Sequence, residues 1–186
     1  METKYIVNNL SGQTINGEPI LRPYKVFTAL LSQSGTDGSI SLQSGNVTEG
    51  VTYIIYGNDG DYSNVGAPDN NDGTKFIAIN SEVPNSYGTG ELKYDPGAPV
   101  AIILENTIGN VWFTYEQTGS YIINSDGLFT INKTMSTPIY GDFTTGVSTF
   151  PVDINRVGIN NSDGINATSN RVNEIISTPI EIRVYN

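Results

Sequence analysis

The acidic and the aromatic side chains are the groups in this sequence whose types and spacing could do chemistry. Asn58-Asp59-Gly60-Asp61 and Asp69-Asn70-Asn71-Asp72-Gly73 cluster oxygen donors of the kind that hold calcium. An EF-hand loop needs Asp-x-Asp/Asn-x-Asp/Asn-Gly and a Glu at its twelfth position, and neither segment has that spacing. Both therefore read as turns in which an Asp side chain holds nearby backbone. Glu105 and Glu116 would be neighbours if their strands paired. Glycoside hydrolysis needs two carboxyl groups about 5 Å or roughly 6.5–9.5 Å apart across a sugar cleft. With 19 acids scattered along the chain some pair will always qualify, and nothing in the sequence marks a cleft.

Other reaction chemistry is excluded more firmly. The chain has no histidine and no cysteine, which removes serine–histidine triads, thiolate zinc sites, cysteine nucleophiles and disulfides. No Gly-Lys dipeptide and no Gly-x-Ser-x-Gly elbow occurs. The expectation is a protein with no catalytic, metal or cofactor-binding residues, and not an enzyme. Tyr53, Tyr56, Tyr62, Tyr87, Tyr94, Trp112, Tyr115 and Tyr121 remain. They could form a platform for carbohydrate or for a partner, or simply fill cores and cross-strand pairs. In Val111-Trp112-Phe113-Thr114-Tyr115, strand alternation puts Trp112 and Thr114 on one face and the other three on the opposite face. Both faces are bulky, so this strand is either buried on both sides or set at an interface.

Net charge narrows the partners. Nine Lys and Arg against 19 Asp and Glu give −10, and such a surface repels nucleic acid and anionic membranes. Val100–Leu104, among the longest apolar runs, is far too short to span a bilayer. Met1–Tyr5 carries mixed charge with no signal-peptide core behind it, so a cytoplasmic site of synthesis is expected. The Asn-x-Ser/Thr sequons at Asn9, Asn46, Asn132, Asn160 and Asn166 are then chance products of an Asn-rich composition.

The elements that must position these groups read as strands. Helical periodicity is hard to find, and short β-branched and aromatic runs are separated by Gly, Asn, Asp, Ser and Pro. Strands are expected at Lys4–Val7, Tyr24–Leu31, Ser39–Gln43, Thr52–Tyr56, Lys75–Ile79, Val100–Glu105, Val111–Glu116 and Tyr121–Asn124. Leu128–Asn132, Val152–Asn155 and Ile180–Tyr185 follow. Asn124-Ser125-Asp126-Gly127 predicts a tight hairpin, and Asn161-Ser162-Asp163-Gly164 repeats its letters as a second turn. The fold class is all-β, an antiparallel sandwich or barrel with long Asn/Gly/Ser-rich loops, notably Asn58–Asn71 and Asn80–Gly97.

One set of segments resembles a known group. Tyr24-Lys25-Val26-Phe27-Thr28-Ala29-Leu30-Leu31-Ser32-Gln33-Ser34-Gly35-Thr36 is similar to the opening of a β-module in structural proteins of tailed bacteriophages. Ala98–Gly109, Trp112–Tyr115, Gly119-Ser120-Tyr121 and Gly127–Thr134 resemble its continuation. Between them Gly50–Ile55, Asp61–Ala67 and Gly73–Ala78 resemble a second module of the same proteins. The likeness covers about residues 24–134 and points to virion proteins of phages of Bacteroidetes hosts, including the crAss-like group. It departs from their usual form in splitting the first module. It implies a main domain over 1–134, with residues 24–36 and 98–134 as the split module and 37–97 inserted. A C-terminal β or arm segment then covers 135–186.

The resemblance carries no catalytic residues. It implies a non-enzymatic virion structural protein, a capsid-decorating or head-fibre subunit assembled on the particle in the bacterial host cytoplasm. The alternative is a tail-fibre or adhesin module binding host-surface glycans through Tyr62, Tyr87 or Trp112. Expected partners are the chain itself, as a homotrimer or homodimer, and other virion proteins such as the capsid protein. Nucleic acid and membrane are not expected. Self-association is also suggested by strands that are apolar on both faces, Val100–Leu104 and Val111–Tyr115. The polar stretch Gly141–Asn173 is expected to order only against a partner, because it has little apolar area to offset chain entropy.

Overall fold

The computed structural model describes residues 14–15, 18–19, 22–57, 59–138, 145–163, 170–171 and 174–185. In chain order the strands are β1 (Thr14–Ile15), β2 (Glu18–Pro19), β3 (Tyr24–Gln33), β4 (Ile40–Leu42), β5 (Thr52–Tyr56), β6 (Lys75–Ile77), β7 (Glu91–Tyr94) and β8 (Val100–Asn106). They continue with β9 (Val111–Gln117), β10 (Ser120–Ser125), β11 (Thr134–Pro138), β12 (Thr145–Pro151), β13 (Arg156–Asp163), β14 (Asn170–Arg171) and β15 (Ile175–Tyr185). Among the described residues the only helical turn is Ser63–Val65.

Three antiparallel sheets carry the fold, with strand orders β11-β15-β3-β8, β12-β13-β10-β9 and β4-β7-β5-β6. Among the described residues none closes on itself, so the architecture is a sandwich and not a barrel. Alternation explains the packing of the first two. Phe27, Ala29 and Leu31 of β3 and Ile180, Ile182 and Val184 of β15 point inward at every second position. They meet Val111 and Phe113 of β9, Tyr121 and Ile123 of β10, and Val157 and Ile159 of β13. The Phe27 and Phe113 rings, 6.3 Å apart, bridge the two layers. β9 and β10 form the hairpin around Thr118-Gly119, where Gly119 takes φ 64° as the turn requires.

Residues 37–97 build the third sheet and a separate core of Val47, Tyr53, Ile55, Tyr62, Val65, Phe76, Ala78 and Leu92. The chain leaves the sandwich after β3 and returns at β8, and those two strands pair directly, Leu31 opposite Ala101 and Leu30 opposite Ile102. The late part of the chain joins the sandwich as well. β13 lies between β12 and β10, and β15 between β11 and β3.

Several expectations need correction. Lys4–Val7 lies outside the described residues. Leu128–Asn132 is a turn and not a strand: Thr134 Oγ1 accepts the Thr130 N–H, Lys133 N–H bonds back to Thr130, and Asn132 takes φ 64°. Val152–Asn155 is the turn between β12 and β13, held by Asp153, which accepts the Asn155 N–H at 2.8 Å and pairs with Arg156. Asn161-Ser162-Asp163, expected as a turn, is strand, with Asn161 fully buried. At Asn124–Gly127 the chain does turn, but Phe129 N–H crosses to the Ile154 carbonyl instead of returning along β10. β7 lies within the stretch expected as loop, its Leu92 buried between more polar neighbours. Residues 145–163 find their ordering partner inside this chain: Val147, Val157 and Ile159 sit in its core.

Candidate functional site

Placement of the candidate residues begins with the acids. Asp61 and Asp69 each accept the N–H two residues on, from Ser63 at 3.0 Å and Asn71 at 2.9 Å, closing Asx turns. Asp59 holds the Thr89 hydroxyl at 2.7 Å, and Asp72 holds the Gly57 N–H at 2.9 Å. The Ser63 hydroxyl, then the Ser63 N–H and Asn85, hold the Asp61 carboxyl down at about 2. Among the described residues no three carboxylates converge as a metal site. Glu105 and Glu116 do not lie on paired strands: β8 belongs to the sheet of β3, and β9 to the sheet of β10. Glu105 is engaged by Arg22 at 2.8 Å.

The aromatic set divides among separate places and forms no common platform. Tyr53 and Tyr62 are interior to the 37–97 core, edge-on to Tyr94 (5.5 Å) and Tyr87 (6.0 Å) respectively. Tyr121 is buried in the sandwich beside Tyr115. Tyr56 lies on the surface under the Lys93 ammonium, 4.1 Å from its ring centre. Tyr62, being fully buried, presents nothing to a ligand. Trp112 is different, because it sits at the seam between the two cores.

That seam is built from both sides. β9 is an edge strand, and its Phe113 N–H is capped at 3.0 Å by Thr52 Oγ1 of β5. Ala101 N–H reaches the Gly50 carbonyl at 2.9 Å, and the Asn110 amide reaches the Lys75 carbonyl at 2.8 Å. The two faces of β9 are therefore both covered within one chain, Phe113 by the sandwich and Trp112 by the inserted sheet. A polar latch holds the crossing strands. Buried Gln33 accepts the Tyr121 hydroxyl at 2.7 Å and donates to the carbonyls of Gly35 (2.7 Å) and Gly97 (3.0 Å). The crossing is tight enough that a Cβ at Gly35 would lie 1.9 Å from the Pro96 oxygen.

Where Asn110 meets Lys75, the seam opens into a cleft of about 500 Å³. Its lining includes Lys75 and Trp112, with Asp69, Asp72, Asn110 and Asp126 around them. The Lys75 ammonium lies 5.2 Å from the Trp112 ring centre. Hydrogen bonds from the Thr74 hydroxyl, then the Asn71 N–H, hold the Asp69 carboxyl below its ordinary range. The cleft offers an aromatic edge, one cation, an amide and three carboxylates, groups that can hold a ligand by hydrogen bonds. The sequence marks Trp112 among its aromatic residues, but nothing in it marks Lys75, Asn110 or Asp126 as a group, because only long-range folding brings positions 75, 110 and 126 together.

A second surface lies on the outside of the sandwich. On the edge strand β8, Ile102 is 51% and Leu104 58% exposed, and Met135 on β11 is 55% exposed. Of the two apolar faces expected for Val100–Leu104, the one carrying Ile102 and Leu104 is thus open to solvent, while Ala101 and Ile103 pack on the sandwich core. Compared with known protein families, curated proteins and solved structures, the chain matches none.

Proposed function

We propose that this chain is a non-enzymatic structural protein of a tailed-phage virion, added to the particle as a capsid-decorating or head-fibre subunit. One observation carries the reading. The two stretches that resemble a single phage β-module, 24–36 and 98–134, are neighbours in space across the inserted 37–97 sheet, with β3 and β8 paired. A split module makes sense only if its halves reunite, and here they share one core. The acidic charge of −10 favours attachment to protein and not to the packaged genome. Self-assembly as a homotrimer or homodimer belongs to the same proposal. It is supported by the exposed Ile102 and Leu104 on β8, an edge strand among the described residues, where exposed apolar side chains favour a contact with another copy.

Quantitative mass spectrometry of gradient-purified particles of the encoding phage tests this. The expected result is the chain present in fixed proportion to the major capsid protein. Its presence in infected cells but absence from purified particles would overturn the proposal.

A further inference from the structure

We infer that the Trp112 cleft is a binding site for a neutral saccharide. The inference stands whether or not the chain is a virion component. A volume of about 500 Å³ lies within the range of sites that take small molecules, roughly 300–1,000 Å³.

The pattern of charge selects the ligand. Asp69, Asp72 and Asp126 against the single Lys75 leave the cleft net negative, in a chain that is itself −10. Phosphate, uronate and sialate are disfavoured by that field. A cation is disfavoured by the Lys75 ammonium beside Trp112, and the carboxylates do not converge on one point as a metal would require. What remains is a ligand whose groups both donate and accept. A sugar hydroxyl does this: it donates to carboxylates and accepts from the lysine ammonium and the asparagine amide. Trp112 is 9% exposed with the Lys75 ammonium over its ring, so only its rim borders the cleft and the polar groups around it hold the ligand.

The cleft does not stop at one ring. It continues past Pro68 and Asn110, which it shares with a smaller hollow of about 240 Å³ lined by Ile77, Ile79 and Ile103. Polar walls followed by an apolar hollow suit an oligosaccharide better than a monosaccharide, with a methyl-bearing substituent such as N-acetyl in the second hollow.

The chain has one tryptophan, so emission excited beyond the tyrosine band reports this cleft alone. The full chain is titrated with neutral oligosaccharides built on glucose, galactose, mannose and N-acetylglucosamine, with their sialylated and uronate-bearing counterparts, and with an oligolysine peptide. The expected result is a saturable emission change with at least one neutral oligosaccharide, about tenfold weaker for its acidic counterpart, and none with oligolysine. Asp126 is exposed in a turn, so Asp126→Ala leaves the thermal melt unchanged and weakens binding roughly tenfold, as loss of one charge-assisted hydrogen bond requires. The inference is overturned by any of three results: no neutral saccharide changes the emission at millimolar concentration, acidic sugars or oligolysine bind as well as neutral ones, or Asp126→Ala binds with unchanged affinity.

Discussion

Replacing Gln33 with leucine is expected to weaken the fold at the point where the inserted sheet joins the sandwich. The side chain is 3% exposed and makes three hydrogen bonds, to the Tyr121 hydroxyl, the Gly35 carbonyl and the Gly97 carbonyl. Leucine keeps the volume but removes every one of them. The Gly97 carbonyl loses a donor inside the protein, whereas the bond to Gly35 is only partly buried and water can replace it. At about 1–3 kcal/mol for a buried group stripped of its partner, the loss at the Gly97 carbonyl sets the expected cost, while the Tyr121 hydroxyl keeps its backbone partner at Gly119. For a chain of this size that lowers Tm by about 2–12 °C. Tyr121→Phe removes only the hydroxyl and is expected to cost about 1–2 kcal/mol. Because the two side chains share one bond, the double variant falls short of the sum by about 1 kcal/mol. Urea denaturation followed by circular dichroism and by Trp112 emission measures all three variants. If Gln33→Leu stays within about 0.5 kcal/mol of the parent, the range of ordinary surface changes, the latch is not what joins the two bodies.

Thr52→Val keeps shape but leaves the buried Phe113 N–H without its acceptor, and is expected to cost about 1–3 kcal/mol by the same denaturation assay. Gly35→Ala forces a methyl against the Pro96 carbonyl and is expected to destabilise by about 1–3 kcal/mol, while alanine at exposed Gly45, though strained at φ 87°, meets no neighbour and costs less. Burial, then the charge of neighbouring tyrosines, pushes the Tyr87 and Tyr121 hydroxyls up to about 12. Their unfolded forms ionise near about 10, so the unfolded state binds fewer protons between those values. Stability from these two groups is complete below pH ~10 and falls as pH rises toward 12, which melting across that window with absorbance of phenolate will show. On the proposed assembly the parent scatters as a dimer or trimer and Ile102→Ser with Leu104→Ser on β8 reduces that mass to one 20.1 kDa chain without lowering Tm; a parent already at 20.1 kDa would refute the assembly.

Much of this was legible because burial in a sheet leaves a period of two. Tyr24–Leu31, Thr52–Tyr56 and Val111–Glu116 carry β-branched and aromatic residues through whole strands, and the observed strands match them to within two residues. Legibility failed where side-chain capping outweighs composition. Val152-Asp153-Ile154-Asn155 has strand formers, yet Asp153 holds two successive backbone groups and Arg156, and that makes a turn. Asn161-Ser162-Asp163 has turn formers, yet Asn161 lies within β13, paired with Val147 of β12, deep enough to be buried. The same polarity hid Val147, Val157 and Ile159, so residues that pack inside the chain read as an arm awaiting a partner. The alternation in β9 showed that Trp112 and Phe113 face opposite ways. It gave no sign that residues 37–97 would cover the Trp112 side, because that contact joins positions 52 and 113. The cleft has the same origin: Asp69 and Lys75 lie far in sequence from Trp112 and Asp126, and the two pairs meet only when the seam forms.

Under the proposed role, the most direct test is a reconstruction, at a resolution that traces β-strands, of phage particles that would carry the chain. The expected result is density for the β3–β8 sandwich and its inserted 37–97 sheet standing on the capsid exterior as symmetric dimers or trimers, with Ile102 and Leu104 inside the contact. A particle whose every capsid and tail density is accounted for by other chains would contradict it.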